Sequence, residues 1–313
     1  MQPISVRKGD PARSRGQELK LAHSPDSDDA FMFYALATKK IRTGSVTFTH
    51  QLEDIESLNQ KALQGVYDIT AVSFHAYAYL ADRYILLPSG ASFGDRYGPI
   101  VVARDQAGVQ GLRGKTVAIP GKLTTAALAL RLYEPEVETI IVPFDKVFDC
   151  VASGEADAGV VIHEGQLTYG REGLRKVVDL GEWWHQETGL PLPLGGNAIL
   201  RTLDRKTQIH AAKVLKQSIE YALEHREQAL EYAMQFGRGL DTSGADRFVS
   251  MYVNAWTLDY GERGRAAVQT LLDRGYEKHL IPHPVKAEFV DQRSAKDSSS
   301  GEQSAAAASQ GKH

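Results

Sequence analysis

Two spacings of apolar residues alternate along this chain. Short runs such as Leu19-Lys20-Leu21-Ala22-His23, Val46-Thr47-Phe48-Thr49-His50 and Asp68-Ile69-Thr70-Ala71-Val72 read as strands. Between them lie helical stretches: Ala30 to Ala37, Asp54 to Gly65, and the segment opened by Ser73-Phe74-His75. Acidic and hydroxyl residues just ahead of Ala30 are N-cap chemistry. Tyr84 to Leu87 and Pro99 to Ala103 add strands, and a second alternation begins near Gly111. There the spacing predicts strands at Lys115–Pro120, Thr139–Val142 and Ala158–Ile162, with helices at Thr124–Leu132 and Lys146–Ala152. Val177–Leu180 and Asn197–Leu200 are further strands, and the pattern is helical from about Asp204 to Gly275. Such alternation predicts an α/β fold with mainly parallel sheets and helices on both faces. Two successive blocks with a helical return imply two lobes sharing a cleft. Lobe 1 is expected over 19–103 plus 197–290, and lobe 2 over 104–196. Residues 1–18 would be a flexible leader, and 291–313, with Ser298-Ser299-Ser300 and Ala305 to Ala308, a disordered tail.

Composition changes this picture mainly by what it excludes. A hydrophobic content of 42% suits a core-forming protein, and a net charge of −3 offers no footprint for nucleic acid or an anionic membrane. Cys150 stands alone, so no internal disulfide is available, and its apolar neighbours suggest a buried helix face. The first residues carry Arg7, Lys8, Arg13 and Arg15 without the apolar stretch of an export signal, and no run approaches the roughly 20 apolar residues of a membrane span. A cytoplasmic protein is expected.

Chemistry concentrates where strands run into helices. Three junctions are rich in hydroxyl or acidic residues: Ser24-Pro25-Asp26-Ser27-Asp28-Asp29, Thr70-Ala71-Val72-Ser73 and Gly121-Lys122-Leu123-Thr124-Thr125. A helix N-terminus presents unpaired N–H groups and a positive dipole end, so each junction is either a plain cap or a seat for a carboxylate or phosphate. Thr124 and Thr125 add hydroxyl donors, and Gly121 lets a backbone approach closely. Val160-Val161-Ile162-His163-Glu164-Gly165 ends a β-branched run in an ionisable pair, which an open α/β sheet would place at the cleft. His163 is either a strand cap or a proton acceptor, and Glu164 either orients it or faces solvent. His75 is placed to line the second junction, while Trp183-Trp184 and the Leu190 to Gly196 segment either line an apolar pocket or pack a hinge. Metal-ligand spacing, a P-loop, a dinucleotide fingerprint and a nucleophile elbow are all missing.

The assembled motifs resemble the 1,4-dihydroxy-6-naphthoate synthase family of the futalosine route to menaquinone. The resemblance rests on Ser24-Pro25, Phe31 to Leu36, Leu52 to Asn59, Asp82-Arg83-Tyr84, Gly98-Pro99, Thr124-Thr125-Ala126, Ile162-His163-Glu164, Thr188 to Gly195 and Tyr252 to Ala255. It covers about residues 19–285. It implies a two-lobed, type II periplasmic-binding-protein-like fold and a lyase acting on an aromatic carboxylate. Cyclic dehypoxanthinylfutalosine would be converted to 1,4-dihydroxy-6-naphthoate plus a three-carbon sugar fragment, without metal or organic cofactor, by a monomer or homodimer. His163 matches the family's catalytic base, and Ala71, Val72, Ser73, Thr124 and Thr125 match ligand contacts. Ser24 joins them as a candidate at the first junction. That junction departs from the family's usual Ser-Pro-Cys-Pro-Asn-Asp, which bears on its geometry and on the substrate. Two rival readings share the fold: a receptor for a small carboxylate, and the sister enzyme chorismate dehydratase. The missing export signal and the ionisable pair weigh against the first, and the Ile162-His163-Glu164 and Thr124-Thr125 motifs against the second.

Overall fold

The computed structural model describes residues 16–104, 111–236 and 240–290. The leader to residue 15, the segment 105–110 and the tail from 291 lie outside the described residues. Among the described residues eleven strands form two sheets. The first holds β1 (Gln17–His23), β2 (Val46–Leu52), β3 (Ile69–Ser73), β4 (Tyr84–Leu86), β5 (Ser92–Gly94) and β11 (Leu192–Leu200), in the order β2-β1-β3-β11-β4 with β5 also on β11. The second holds β6 (Ile100–Ala103), β7 (Thr116–Ile119), β8 (Glu138–Ile141), β9 (Ala158–Val161) and β10 (Arg175–Asp179), in the order β10-β6-β9-β7-β8.

Two features depart from the sequence reading. Ile100–Ala103 pairs with β9 and β10 in the second sheet, so the chain crosses over before residue 100. The return likewise comes early, because all of β11 belongs to the first sheet. The sheets are also mixed: β1–β2, β1–β3, β7–β8 and β7–β9 are parallel, whereas every pairing of β11 and β6 is antiparallel. These two strands carry the chain between the sheets, and each enters its sheet against the direction of the helix-connected strands.

Four helices set the cleft. α1 (Ser27–Ala37) is buried on nearly all sides, from Ala30 through Leu36, as an apolar run without a polar face demands. It packs against helices Arg205–Glu224 and Arg226–Met234. α2 (Ile55–Gln64) is capped by Asp54, which accepts from Ser57 N, and ends at Gly65 in the left-handed conformation. α3 (Phe74–Tyr77) and α4 (Thr125–Tyr133) start at the ends of β3 and β7. One buried core runs through Phe74, Tyr77, Leu128, Leu130, Val160 and Trp184, so the two sheets share apolar packing behind the cleft. Cys150 is buried on the helix Val147–Ser153. Among the described residues no helix is long and apolar enough to cross a membrane.

Candidate active site

The carboxyl ends of β1, β3 and β7 converge on one cavity between the sheets. Ser24, Ala71, Val72, Ser73, Thr124 and Thr125 all line it, with Ile55, Ile162 and Leu194 supplying apolar wall and Asn197 and Tyr252 adding polar groups. This is the ligand position that strand-to-helix topology favours.

The wall built on the first sheet keeps polar hydrogens available. Ser73 stands at the N-cap of α3 without capping it. Its N–H donates to Asn59 Oδ1 at 2.9 Å, and its Oγ accepts from Asn59 Nδ2 at 3.1 Å. Among the described residues no group accepts the Ser73 hydroxyl proton. Asn59 escaped the sequence reading, although a fully buried asparagine inside an amphipathic helix needs partners of this kind.

At the start of α1 the carboxylates form a crowded group. Ser24 N–H donates to Asp29 Oδ2 at 2.8 Å, and Ser24 Oγ donates to Asp26 Oδ2 at 3.0 Å. Asp28 is half-buried on the cavity wall. Burial, followed by the neighbouring charges of Asp29, Asp26 and Glu164, pushes its carboxyl well above the usual range. Burial likewise raises Asp29 to about 7, against the lowering effect of its bond from Ser24. No group of three or more His, Cys, Asp or Glu among the described residues is arranged to hold a metal ion.

The opposite wall has its hydroxyls engaged. Thr124 Oγ1 caps α4 by accepting from Ala127 N–H at 3.2 Å and donates to Gly121 O at 2.9 Å. Thr125 Oγ1 donates to Leu194 O at 2.6 Å and accepts from His75 N–H at 3.2 Å. What α4 can offer a ligand is therefore its first backbone N–H groups, at Thr125 and Ala126, both on the cavity wall. The space that Gly121 leaves goes to Glu56: a Cβ there would lie 2.3 Å from Glu56 Oε2, which accepts from Leu123 N–H at 3.1 Å.

His163 follows β9 and sits in a crevice beside the cavity, with Asp26, Ile55 and Ile162 common to both. Nδ1 accepts from Gly165 N–H at 3.0 Å, and Nε2 lies 3.1 Å from Phe144 O. A backbone N–H can only donate and a carbonyl only accept, so the ring is held as the neutral tautomer protonated at Nε2. Glu164 neither orients this ring nor faces solvent. It is 1% exposed and accepts from Ser27 Oγ at 2.9 Å, tying β9 to the start of α1. His75 donates from Nδ1 to Thr124 O at 3.2 Å, and burial lowers it to about 4. Trp184 is fully buried with Nε1 bonded to Pro191 O, and neither it nor Trp183 reaches the cavity.

Residues 19–277 match a family model described as menaquinone biosynthesis. The chain is 41% identical over 282 residues to a 1,4-dihydroxy-6-naphthoate synthase of Thermus thermophilus, covering 88% of this chain and all of that protein. A protein of the same name from Streptomyces coelicolor is 36% identical over 270 residues, 84% of this chain and 95% of the relative. A solved protein from Archaeoglobus fulgidus superposes with a TM-score of 0.81 at 46% identity, over 84% of this chain and 98% of its own. The alkanesulfonate-binding protein of Xanthomonas axonopodis pv. citri superposes with a TM-score of 0.64 at 14% identity, over 90% and 98% of the two chains, and shares the fold alone. The fold is the two-lobed, type II binding-protein fold, and the chain belongs to the menaquinone-biosynthesis family.

Proposed function

We propose that this protein is a carbon–carbon lyase that converts cyclic dehypoxanthinylfutalosine to 1,4-dihydroxy-6-naphthoate and dihydroxyacetone. The observation that carries this reading is the match, over the whole length of the relative and 88% of this chain, to a protein named for that product. The cavity supports it in kind. The free hydroxyl proton of Ser73 and the N-terminus of α4 suit a carboxylate, and Ile55, Val72, Ile162 and Leu194 suit a flat ring.

In the proposed reaction His163 takes the proton of a ribose-derived hydroxyl, because imidazole accepts protons near neutral pH. The O–H electrons become a carbonyl, the adjacent carbon–carbon bond breaks in the retro-aldol sense, and its electron pair is drawn into the ring system as that becomes aromatic. His163 Nδ1 is occupied by Gly165 N–H, so turning the ring out of its bonds to Gly165 and Phe144 toward Ile162 is part of the proposal. The test is to mix the purified protein with cyclic dehypoxanthinylfutalosine and follow naphthoate by absorbance and mass, with His163→Ala in parallel. Product from wild type alone supports reaction and base together. Turnover at the wild-type rate by the variant removes His163 from the mechanism, and no product from either returns the protein to a carboxylate binder.

A further inference from the structure

Asn197 lies on β11 opposite Ala71, two residues along from Gly195, the partner of Ser73. At roughly 3.4 Å per residue this places it about 7 Å along the strand from the Ser73 position. It is 1% exposed and lines the cavity. Its amide is fixed at one end: Nδ2 donates to Gly90 O at 2.8 Å. Gly90 is in the left-handed region, with φ +83°, and a Cβ there would lie 2.6 Å from that nitrogen. Only glycine permits this arrangement.

The other end is unpaired. Asn197 Oδ1 is buried and has no hydrogen-bond partner among the described residues. A buried acceptor without a donor costs stability and is rare in folded proteins. The other buried side-chain atoms in that condition belong to His50, His75, Ser89, Glu164, Gln166, His185 and Tyr260, and none of these residues lines the cavity. Among the described residues, Asn197 Oδ1 is the one buried side-chain atom on the cavity wall without a hydrogen-bond partner.

We infer that Asn197 Oδ1 is a substrate-recognition point that accepts a hydrogen bond from a hydroxyl of the sugar-derived part of the substrate, separate from the carboxylate end at Ser73 and α4. The identity of the donor rests on the proposed function; the need for a donor rests on the unpaired oxygen. Asn197→Leu removes the acceptor, and with it the donor to Gly90 O, while keeping the branched shape of the side chain. The full chain and this variant are compared by KM for cyclic dehypoxanthinylfutalosine and by the inhibition constant of 1,4-dihydroxy-6-naphthoate, which keeps the ring and carboxylate and lacks the sugar fragment. The expected result is a KM raised roughly ten- to a hundredfold, with product inhibition within about twofold of wild type. An unchanged KM, or equal weakening of substrate and product, overturns the inference.

Two further arms keep the test decisive. Deoxy analogues of the substrate, measured on the wild type, need no variant to fold: one of them must bind roughly ten- to a hundredfold more weakly, and equal binding of all overturns the inference. If wild type binds the substrate by calorimetry without converting it, the proposed reaction falls, and Asn197 is judged on dissociation constants alone. If it neither binds nor converts it, both readings fall.

Discussion

The two walls of the cleft are made by the same device, a strand running into a helix behind hydroxyl or acidic residues, yet they reach opposite chemical states. On the first-sheet wall, Ser73 keeps its hydroxyl proton, Asp28 is held protonated above the usual range, and Asn197 keeps an unpaired oxygen. On the second-sheet wall, Thr124 and Thr125 have donated and accepted already, and both ring nitrogens of His163 are taken. One wall is arranged to meet a ligand with side chains, the other with helix backbone. The difference comes from the neighbours that cross the cleft: Leu194 and His75 from the first-sheet side reach Thr125, whereas among the described residues the side chain bonded to Ser73 Oγ comes from its own side, Asn59.

His163 is the sharpest way to break this contrast, since the proposal asks an engaged residue of the second wall to do the proton transfer. His163→Ala is expected to lower kcat by about 10²–10⁴, measured as naphthoate formed under saturating substrate. A loss confined to KM would mean that the histidine serves its wall by packing against Phe144 and Phe148.

Next in size comes the pair Ser73→Ala and Thr125→Val. Ser73→Ala removes a proton kept for ligand, and KM should rise about tenfold. Thr125→Val removes a hydroxyl that already serves Leu194 O and His75 N–H. It should leave KM within about twofold while lowering unfolding free energy by about 1–3 kcal/mol, read in urea titrations. Reversal of the two outcomes would reverse the roles of the walls.

Much of this was legible in the chain itself. The strand-to-helix alternation, the three junctions and their convergence follow from local patterns: β-branched runs, N-cap residues and the rule that ligands meet strand ends. The crossover at Ile100 was not, because nothing in Ile100-Val101-Val102-Ala103 distinguishes pairing with β5's sheet from pairing with β9. Nor were Asn59 as the partner of Ser73, Asn197 as a cavity group, or the bond from Ser27 to Glu164, which joins residues 137 positions apart. Residue type shows that a buried polar group needs a partner, but which partner is decided by tertiary packing. The same limit explains Thr124 and Thr125: capping and ligand binding call for identical residues.

The first-sheet side should also respond to pH in two opposite senses. Asp28 and Asp29 have folded values above their ordinary 3.8, Asp29 at about 7. The folded state then holds more protons than the unfolded one, so their contribution is complete below 3.8 and is lost as pH rises through the folded values. Buried His23 and His75, lowered from 6.5 to about 3 and about 4, act in the reverse sense: their contribution is complete above 6.5 and is lost as pH falls toward those values. Asp28→Asn removes one of the first pair while keeping its shape. Its midpoint of thermal unfolding should gain on wild type steadily as pH rises from 4 toward 8. A constant offset between the two curves would show that Asp28 ionises normally.

Glu164→Gln gives the smallest expected effect and the finest division between the walls. The carboxylate belongs to the second-sheet side, yet its charge acts on Asp28 of the first, where it is the last in size of the influences that raise that carboxyl. A glutamine keeps an oxygen to accept from Ser27 Oγ, so the link between β9 and α1 survives the change. What disappears is the charge. Asp28 should then ionise at slightly lower pH, and the loss of stability with rising pH, which starts from the unfolded value in both proteins, should end slightly earlier and be slightly smaller than in wild type, with turnover at optimal pH little altered. The shift should vanish in the Asp28→Asn background, because the group that feels the charge is no longer there. Persistence of the full shift in that double variant would mean that Glu164 acts through Ser27 and the joint between the sheets, and that the electrostatics of the first wall are its own.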